Sequence, residues 1–168
     1  VSNLLTIIVP RHPQRFDEVA KLLEAHGIAY CRRSEFAIGN VASEIPSCQV
    51  ILGDSMGEMF TYYAACDVAL IGGSLMPLGG QNLIEACAMG KPVLIGEHTF
   101  NFSDASNQAV EAGAAIRVNE KDLSEKITLL MTDLNKQTQM GKAGLEFSKK
   151  SAGATQKLLS LIDHYLKT

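Results

Sequence analysis

Apolar residues along this chain fall into two patterns, short unbroken runs and helical stripes, and the two alternate. Leu4–Val9 is a continuous, β-branched run ended by Pro10, which is the pattern of a fully buried parallel strand. From Gln14 to His26 the apolar residues Phe16, Val19, Leu22 and Leu23 recur at helical spacing, and Gly27 supplies a stop. Ile28–Arg32 predicts a second strand, whereas Ser34–Ser47 has only a weak pattern and reads as a loop with a short edge strand. Gln49–Leu52 predicts a third strand, and Glu58–Cys66 a helix with Met59, Phe60, Tyr63 and Ala64 on one face.

Val68–Ile71 predicts a fourth strand, stopped by Gly72 and Gly73, and Leu83–Met89 a helix ended by Gly90. A strand at Val93–Ile95, a helix at Ser106–Ala112 and a last strand at Ala115–Val118 continue the alternation. The tail from Asp122 to Leu166 is helical throughout, with Leu123, Ile127, Leu130 and Leu134, then Leu158, Leu161, Ile162 and Tyr165, on its apolar positions. Gly141, Gly144 and Gly153 predict breaks in it. Alternating strands and helices imply βαβ units, and right-handed crossovers then give an α/β, Rossmann-like parallel sheet with helices on both faces.

Composition narrows the class without naming a chemistry. A length of 168 residues with 46% hydrophobic content suits one domain with a single core, residues 1–168. With 15 basic and 18 acidic residues spread along the chain, no basic stripe exists to track nucleic acid. Apolar runs stay well short of the roughly 20 residues that span a bilayer. Cys31, Cys48, Cys66 and Cys87 form no CxxC pair and have no histidine at ligand spacing, so they read as buried free thiols in a reducing compartment, with no metal site. The strand pattern begins at the first residues, which predicts a fragment cut at a domain boundary.

Ligands of open parallel sheets bind beyond the carboxyl ends of the strands. Three segments arrive there: Pro10-Arg11-His12, Gly53 to Glu58, and Gly72 to Glu85. The last has glycine flexibility and the start of a helix near Asn82, both suited to a phosphate. Asn82 followed by Glu85 also has the spacing of a helix cap with its reciprocal partner, which satisfies orphan donors with no ligand at all. Neither the dinucleotide nor the Walker-A glycine pattern occurs. Micromolar binding needs about 8 kcal/mol, and a helix end supplies at most ~2 kcal/mol. Charge-assisted hydrogen bonds add roughly 1.5–3 kcal/mol each, so Arg11 on an anion and Glu85 on ribose hydroxyls are the natural supplements. For Glu58, an ordinary dipole-compensating role at its helix start explains the residue equally well.

Taken together, "VPRHPQRF", "GDSMGEMFTYYAACDVALIGGS", "GGQNLIEACAMGKPVLIG" and "HTFNF" resemble the carboxyl-terminal domain of the bacterial 3-deoxy-D-manno-octulosonic acid (Kdo) transferases. The resemblance runs from the first strand to the fifth. It implies the second half of a two-domain GT-B glycosyltransferase, which binds the donor CMP-Kdo with no metal or other cofactor. It implies inverting transfer of Kdo to a lipid A precursor in lipopolysaccharide synthesis, on the cytoplasmic side of the inner membrane. The catalytic base, the acceptor groove and the membrane contact are then expected in an amino-terminal domain, so that this chain is expected to bind CMP or CMP-Kdo weakly and to transfer nothing. Donor contacts carry over onto Pro10 and Arg11, onto Met56, Gly57 and Glu58, and onto Asn82, Leu83, Ile84 and Glu85. The chain departs from the family at Gln81, Leu83 and Glu97, where many relatives have His, Pro and Pro; Gln81 cannot become cationic. Two other readings compete: the donor domain of a GT-B enzyme using a UDP-sugar, and a non-catalytic Rossmann-like interaction module.

Overall fold

A computed structural model describes residues 4–36 and 48–166, with side chains described to residue 150 and at Ile162. The chain divides into two compact units, Val1–Tyr62 and Tyr63–Thr168, where composition suggested one. In the first unit, β1 (Thr6–Ile8), β2 (Tyr30–Arg32) and β3 (Val50–Leu52) form a parallel ladder in the order β1-β3-β2. Thr6 lies opposite Val50 and Ile8 opposite Leu52, while Tyr30 and Arg32 flank the same two residues from the other side. Helix α1 (Phe16–Ala25) packs Ala20 and Leu23 inward and carries Asp17 and Glu18 in its first turn, where acidic residues complement the helix dipole. A 3₁₀ turn at Pro13–Arg15 leads into it, since proline is pre-set for a first turn.

The boundary between the units falls within helix α2 (Met59–Ala65). In the second, β4 (Ala69–Leu70), β5 (Val93–Ile95) and β6 (Ala115–Arg117) make another parallel ladder, in chain order. Every residue of β5 is fully buried, because helices cover both of its faces. Val93 and Ile95 join Ala69, Ile71, Leu83, Ala86, Cys87, Ala109 and Phe147 in one core, contributed by β4, α3 (Ile84–Ala88), α4 (Ser103–Glu111) and α6 (Leu134–Leu166). Leu94 points the other way, into a second core with Val118, Leu130 and Met140, built with α5 (Leu123–Thr132) and α6.

Each predicted strand in the described residues forms, Val93–Ile95 with the predicted bounds and the others shorter by one to three residues. The predicted helix over Ser106–Ala112 starts earlier, at Ser103, because Ser103 and Asp104 supply a good first turn. Most of the predicted loop at Ser34–Ser47, with its edge strand, lies outside the described residues; Arg33–Glu35 within reach of it is a 3₁₀ turn.

Two predictions about the tail and the thiols are corrected. Gly141, Gly144 and Gly153 do not break the tail, and α6 is continuous through all three. A Cβ added at Gly141 would sit 2.3 Å from the Gly90 carbonyl oxygen, and one at Gly144 would sit 3.2 Å from the Cys87 carbonyl oxygen. The first two glycines therefore serve close approach of α6 to the end of α3, not chain reversal. Of the four cysteines, all free, only Cys87 is buried; Cys31, Cys48 and Cys66 are half-buried. Burial pushes the Cys87 thiol up to about 11, so it behaves as a small apolar residue.

Candidate functional site

The candidate residues of the first unit emerge from the carboxyl ends of two paired strands. Pro10 and Arg11 follow β1, and Met56, Gly57 and Glu58 follow β3, which is hydrogen-bonded to β1. Pro10 is half-buried, while Arg11 is exposed and has no acceptor or ion-pair partner among the described residues. His12 beside it is exposed as well. An unengaged guanidinium on a strand-end loop retains its full donor fork for an anion.

The turn after β3 is shaped by a close approach. Gly53 donates its amide to the Ile8 carbonyl at 2.8 Å, and a Cβ there would meet the Tyr62 ring and hydroxyl at 3.0 Å. Gly57 holds φ +80, a conformation other residues rarely adopt, and has open space around its Cα. Met56 is 64% exposed. Glu58 immediately precedes α2 and has a partner at each oxygen: Arg33 Nη2 donates to its Oε1 at 2.8 Å, while the Ser55 and Tyr62 hydroxyls donate to its Oε2. The Ser55 hydrogen bond, then the Arg33 charge, hold the Glu58 carboxyl below the ordinary range against its desolvation. Alongside, Asp54 accepts from the Ser34 amide at 2.8 Å and hydroxyl at 2.7 Å, with Arg32 at 3.5 Å. Burial works to raise the Asp54 carboxyl, but those hydrogen bonds and the Arg32 charge outweigh it and hold the carboxyl below its usual range. Arg33 escapes a reading of the sequence, since it stands 25 positions from Glu58, while Ser55 falls within the named segment Gly53 to Glu58 without being singled out.

In the second unit, Asn82 and Leu83 immediately precede α3, and Ile84 and Glu85 form its first turn. The loop that precedes them is tied to itself and to β5 by hydrogen bonds. Gly80 and Gln81 donate their amides to Gly73 and Gly72, and Gly73, Gly79 and Gly80 all hold positive φ. Ser74, fully buried, donates to the Ile71 carbonyl at 2.6 Å and accepts from the Gly96 amide at 2.8 Å, which ties this loop to the end of β5. Asn82 caps α3: its Oδ1 accepts from the Ile84 amide at 3.0 Å, and its Nδ2 donates to Glu85 Oε1 at 3.1 Å. The anticipated reciprocal cap is thus only partly made: the Asn82 oxygen meets the Ile84 amide rather than that of Glu85, and its side-chain amide rather than its backbone donates to Glu85. The Leu83 side chain is fully buried in the core, so Leu83 can meet a ligand only through its backbone. The backbone amides of Leu83 and Glu85 donate to nothing among the described residues. Tyr63 stands near Glu85; burial, then the Glu85 charge, push its phenol up to about 12, so it stays protonated.

A groove of about 500 Å³ also lies in this unit, lined by Gln108, Glu111 and Ala112 of α4 and by Ala143, Glu146, Phe147 and Lys150 of α6. It flanks the end of α4, hence the amino ends of the strands, and touches none of the candidate residues. No group of three or more His, Cys, Asp or Glu placed to hold a metal occurs among the described residues, nor any helix there long and apolar enough to cross a membrane.

Residues 44–147 match the family model described as glycosyl transferases group 1. Two curated relatives, both 3-deoxy-D-manno-octulosonic acid transferases, are 46% identical over 163 residues in Bordetella pertussis and 40% identical over 169 residues in Haemophilus influenzae. They align with 96% and 98% of this chain, which spans 37% and 38% of their respective lengths. Among solved structures, the C-terminal CMP-Kdo binding domain of WaaA from Acinetobacter baumannii superposes with a TM-score of 0.77 at 30% identity, over 86% of this chain and 73% of that one. The α/β architecture of parallel strands and covering helices is therefore that of a GT-B half.

Proposed function

The chain belongs to the group 1 glycosyl transferases, and from that premise we propose that it is the donor-binding half of a Kdo transferase, holding CMP-Kdo for transfer to a lipid A precursor. The observation that carries this reading is the likeness, in both sequence and fold, to a domain whose ligand is CMP-Kdo.

Within it, Arg11 grips an anionic group of the donor, phosphate or Kdo carboxylate, by charge-assisted hydrogen bonds. Pro10, Met56 and Gly57 offer backbone groups, and Glu58 a carboxylate, toward the nucleotide. Glu85 accepts from the ribose hydroxyls, its orientation fixed by Asn82. The unengaged amides of Leu83 and Glu85 face the phosphate, with Ile84 contributing packing. Transfer is a direct displacement: a base takes the proton of an acceptor hydroxyl, whose oxygen attacks the anomeric carbon as CMP leaves with inversion. Arg11 stabilises the negative charge gathering on the departing phosphate. The base, the acceptor site and the attachment to the cytoplasmic face of the inner membrane belong to the portion of the relatives that this chain does not span.

The group 1 family is broad enough to include users of UDP-sugars, which calorimetry separates. CMP binding with micromolar to millimolar affinity and UDP much weaker supports the reading; the reverse order overturns it in favour of a UDP-sugar enzyme. The bonds of Asn82 to the Ile84 amide and to Glu85, which need no ligand, favour a second reading, a module in which the glycine loop merely turns. Kdo transfer catalysed by the 168-residue chain alone contradicts the assignment of the base elsewhere.

A further inference from the structure

The Glu58 carboxylate raises a problem of charge. CMP and CMP-Kdo are both anionic at neutral pH, and an unpaired carboxylate beside them repels the donor it is meant to hold. The first unit answers this with a basic residue that the resemblance does not assign. Arg33, in the 3₁₀ turn that follows β2, donates through Nη2 to Glu58 Oε1 at 2.8 Å and through Nη1 to the Phe36 carbonyl at 3.3 Å. The two side chains are 26% and 28% exposed, shielded enough for the pairing to resist solvent screening in part. Glu58 Oε2 is held separately by Ser55, whose hydroxyl lies 2.9 Å from that of Tyr62. The neighbouring pair is matched in the same way, Arg32 lying 3.5 Å from Asp54 and 2.7 Å from Asp17. Glu58 and Asp54 thus each have a base within reach, Asp54 sharing Arg32 with Asp17, while Arg11 has no ion-pair partner among the described residues.

We propose that Arg33 is a positioning residue of the donor site: it fixes and neutralises Glu58, so that the carboxylate accepts a hydrogen bond from the nucleoside part without repelling the donor's anionic groups. This rests on the donor-site reading above. Oε1 keeps a second lone-pair direction beside its bond to Arg33, which is what a carboxylate needs to hold both partners at once. A guanidinium suits the task better than an ammonium, because its planar fork reaches the carboxylate and the Phe36 carbonyl together.

The test compares CMP with cytidine, which lacks the phosphate, on the whole chain and on Arg33→Gln, Glu58→Gln and the double variant. Arg33→Gln is expected to weaken CMP by about tenfold and to leave cytidine nearly unchanged. In the Glu58→Gln background the same change is expected to cost CMP little, since no charge is then left unpaired. Arg33→Lys, which keeps the charge but not the fork, should lose less CMP affinity than Arg33→Gln. Equal losses for CMP and cytidine, with no recovery in the double variant, would show Arg33 to be merely structural and overturn the proposal. Should Arg33→Gln not fold, the comparison of Glu58→Gln with the double variant decides the matter alone: a full tenfold loss there also overturns it. Absence of CMP binding by the unaltered chain is a different outcome, which removes the donor-site reading itself.

Discussion

The Asn82 amide and the Glu85 carboxylate are 3.1 Å apart, with Asn82 also accepting from the Ile84 backbone. One residue thus both caps α3 and orients the carboxylate assigned to the ribose. The two duties separate by substitution. Asn82→Ala is expected to lower stability by about 1 kcal/mol through the lost cap and to weaken CMP as well. Glu85→Ala should cost little stability yet reduce CMP affinity by roughly 1.5–3 kcal/mol, the worth of a charge-assisted hydrogen bond. Denaturant titration and calorimetry on both variants check this. A Glu85→Ala chain that loses stability but keeps its CMP affinity supports the interaction-module reading instead.

Arg11 gives the cleaner case, because it has no partner among the described residues to lose. Arg11→Ala should leave stability within about 0.5 kcal/mol of the parent while weakening CMP by roughly 1.5–3 kcal/mol. Destabilisation by several times that amount would mean that Arg11 holds the fold together.

Gly141→Ala reverses the usual helix rule. Alanine in an exposed helix interior gains close to 1 kcal/mol over glycine, but here the added methyl meets the Gly90 carbonyl oxygen at 2.3 Å. The expected result is a loss of about 1–3 kcal/mol from the forced separation of α3 and α6, read as a lower thermal midpoint. A stabilised variant would contradict the packing described.

Much of this arrangement is legible in sequence because it depends on near neighbours. The period of the apolar residues gives the order of strands and helices, and the three-residue spacing of Asn82 and Glu85 gives the cap. What escapes are contacts between distant positions. The tail glycines look like breaks until Gly90 and Cys87 lie against them. Arg33 looks like an ordinary surface cation until the pairing of β2 with β3 brings its turn to Glu58. Leu83, carried over as a donor contact, has a side chain that the sheet beneath it buries completely.

The acid limb of stability follows from Asp54. Its folded carboxyl is held low, so the stabilisation is complete above the unfolded value of about 3.9 and fades as pH falls through the folded one. Asp54→Asn is therefore expected to be less stable than the parent at pH 7, with the gap closing below pH ~4. Urea titrations across that range read it; a gap that widens on acidification would have the wrong sign for a depressed carboxyl.

The central claim is that CMP binds at the assigned strand-end residues. A CMP titration followed by backbone amide NMR tests it most directly. The donor-site reading predicts that the amides of Arg11, of Met56, Gly57 and Glu58, and of Asn82, Leu83, Ile84 and Glu85 shift along one common binding curve, with UDP producing much weaker changes. Silence at Glu58 and Glu85 while CMP binds elsewhere, for instance along the α4–α6 groove at Glu111 and Glu146, would contradict it.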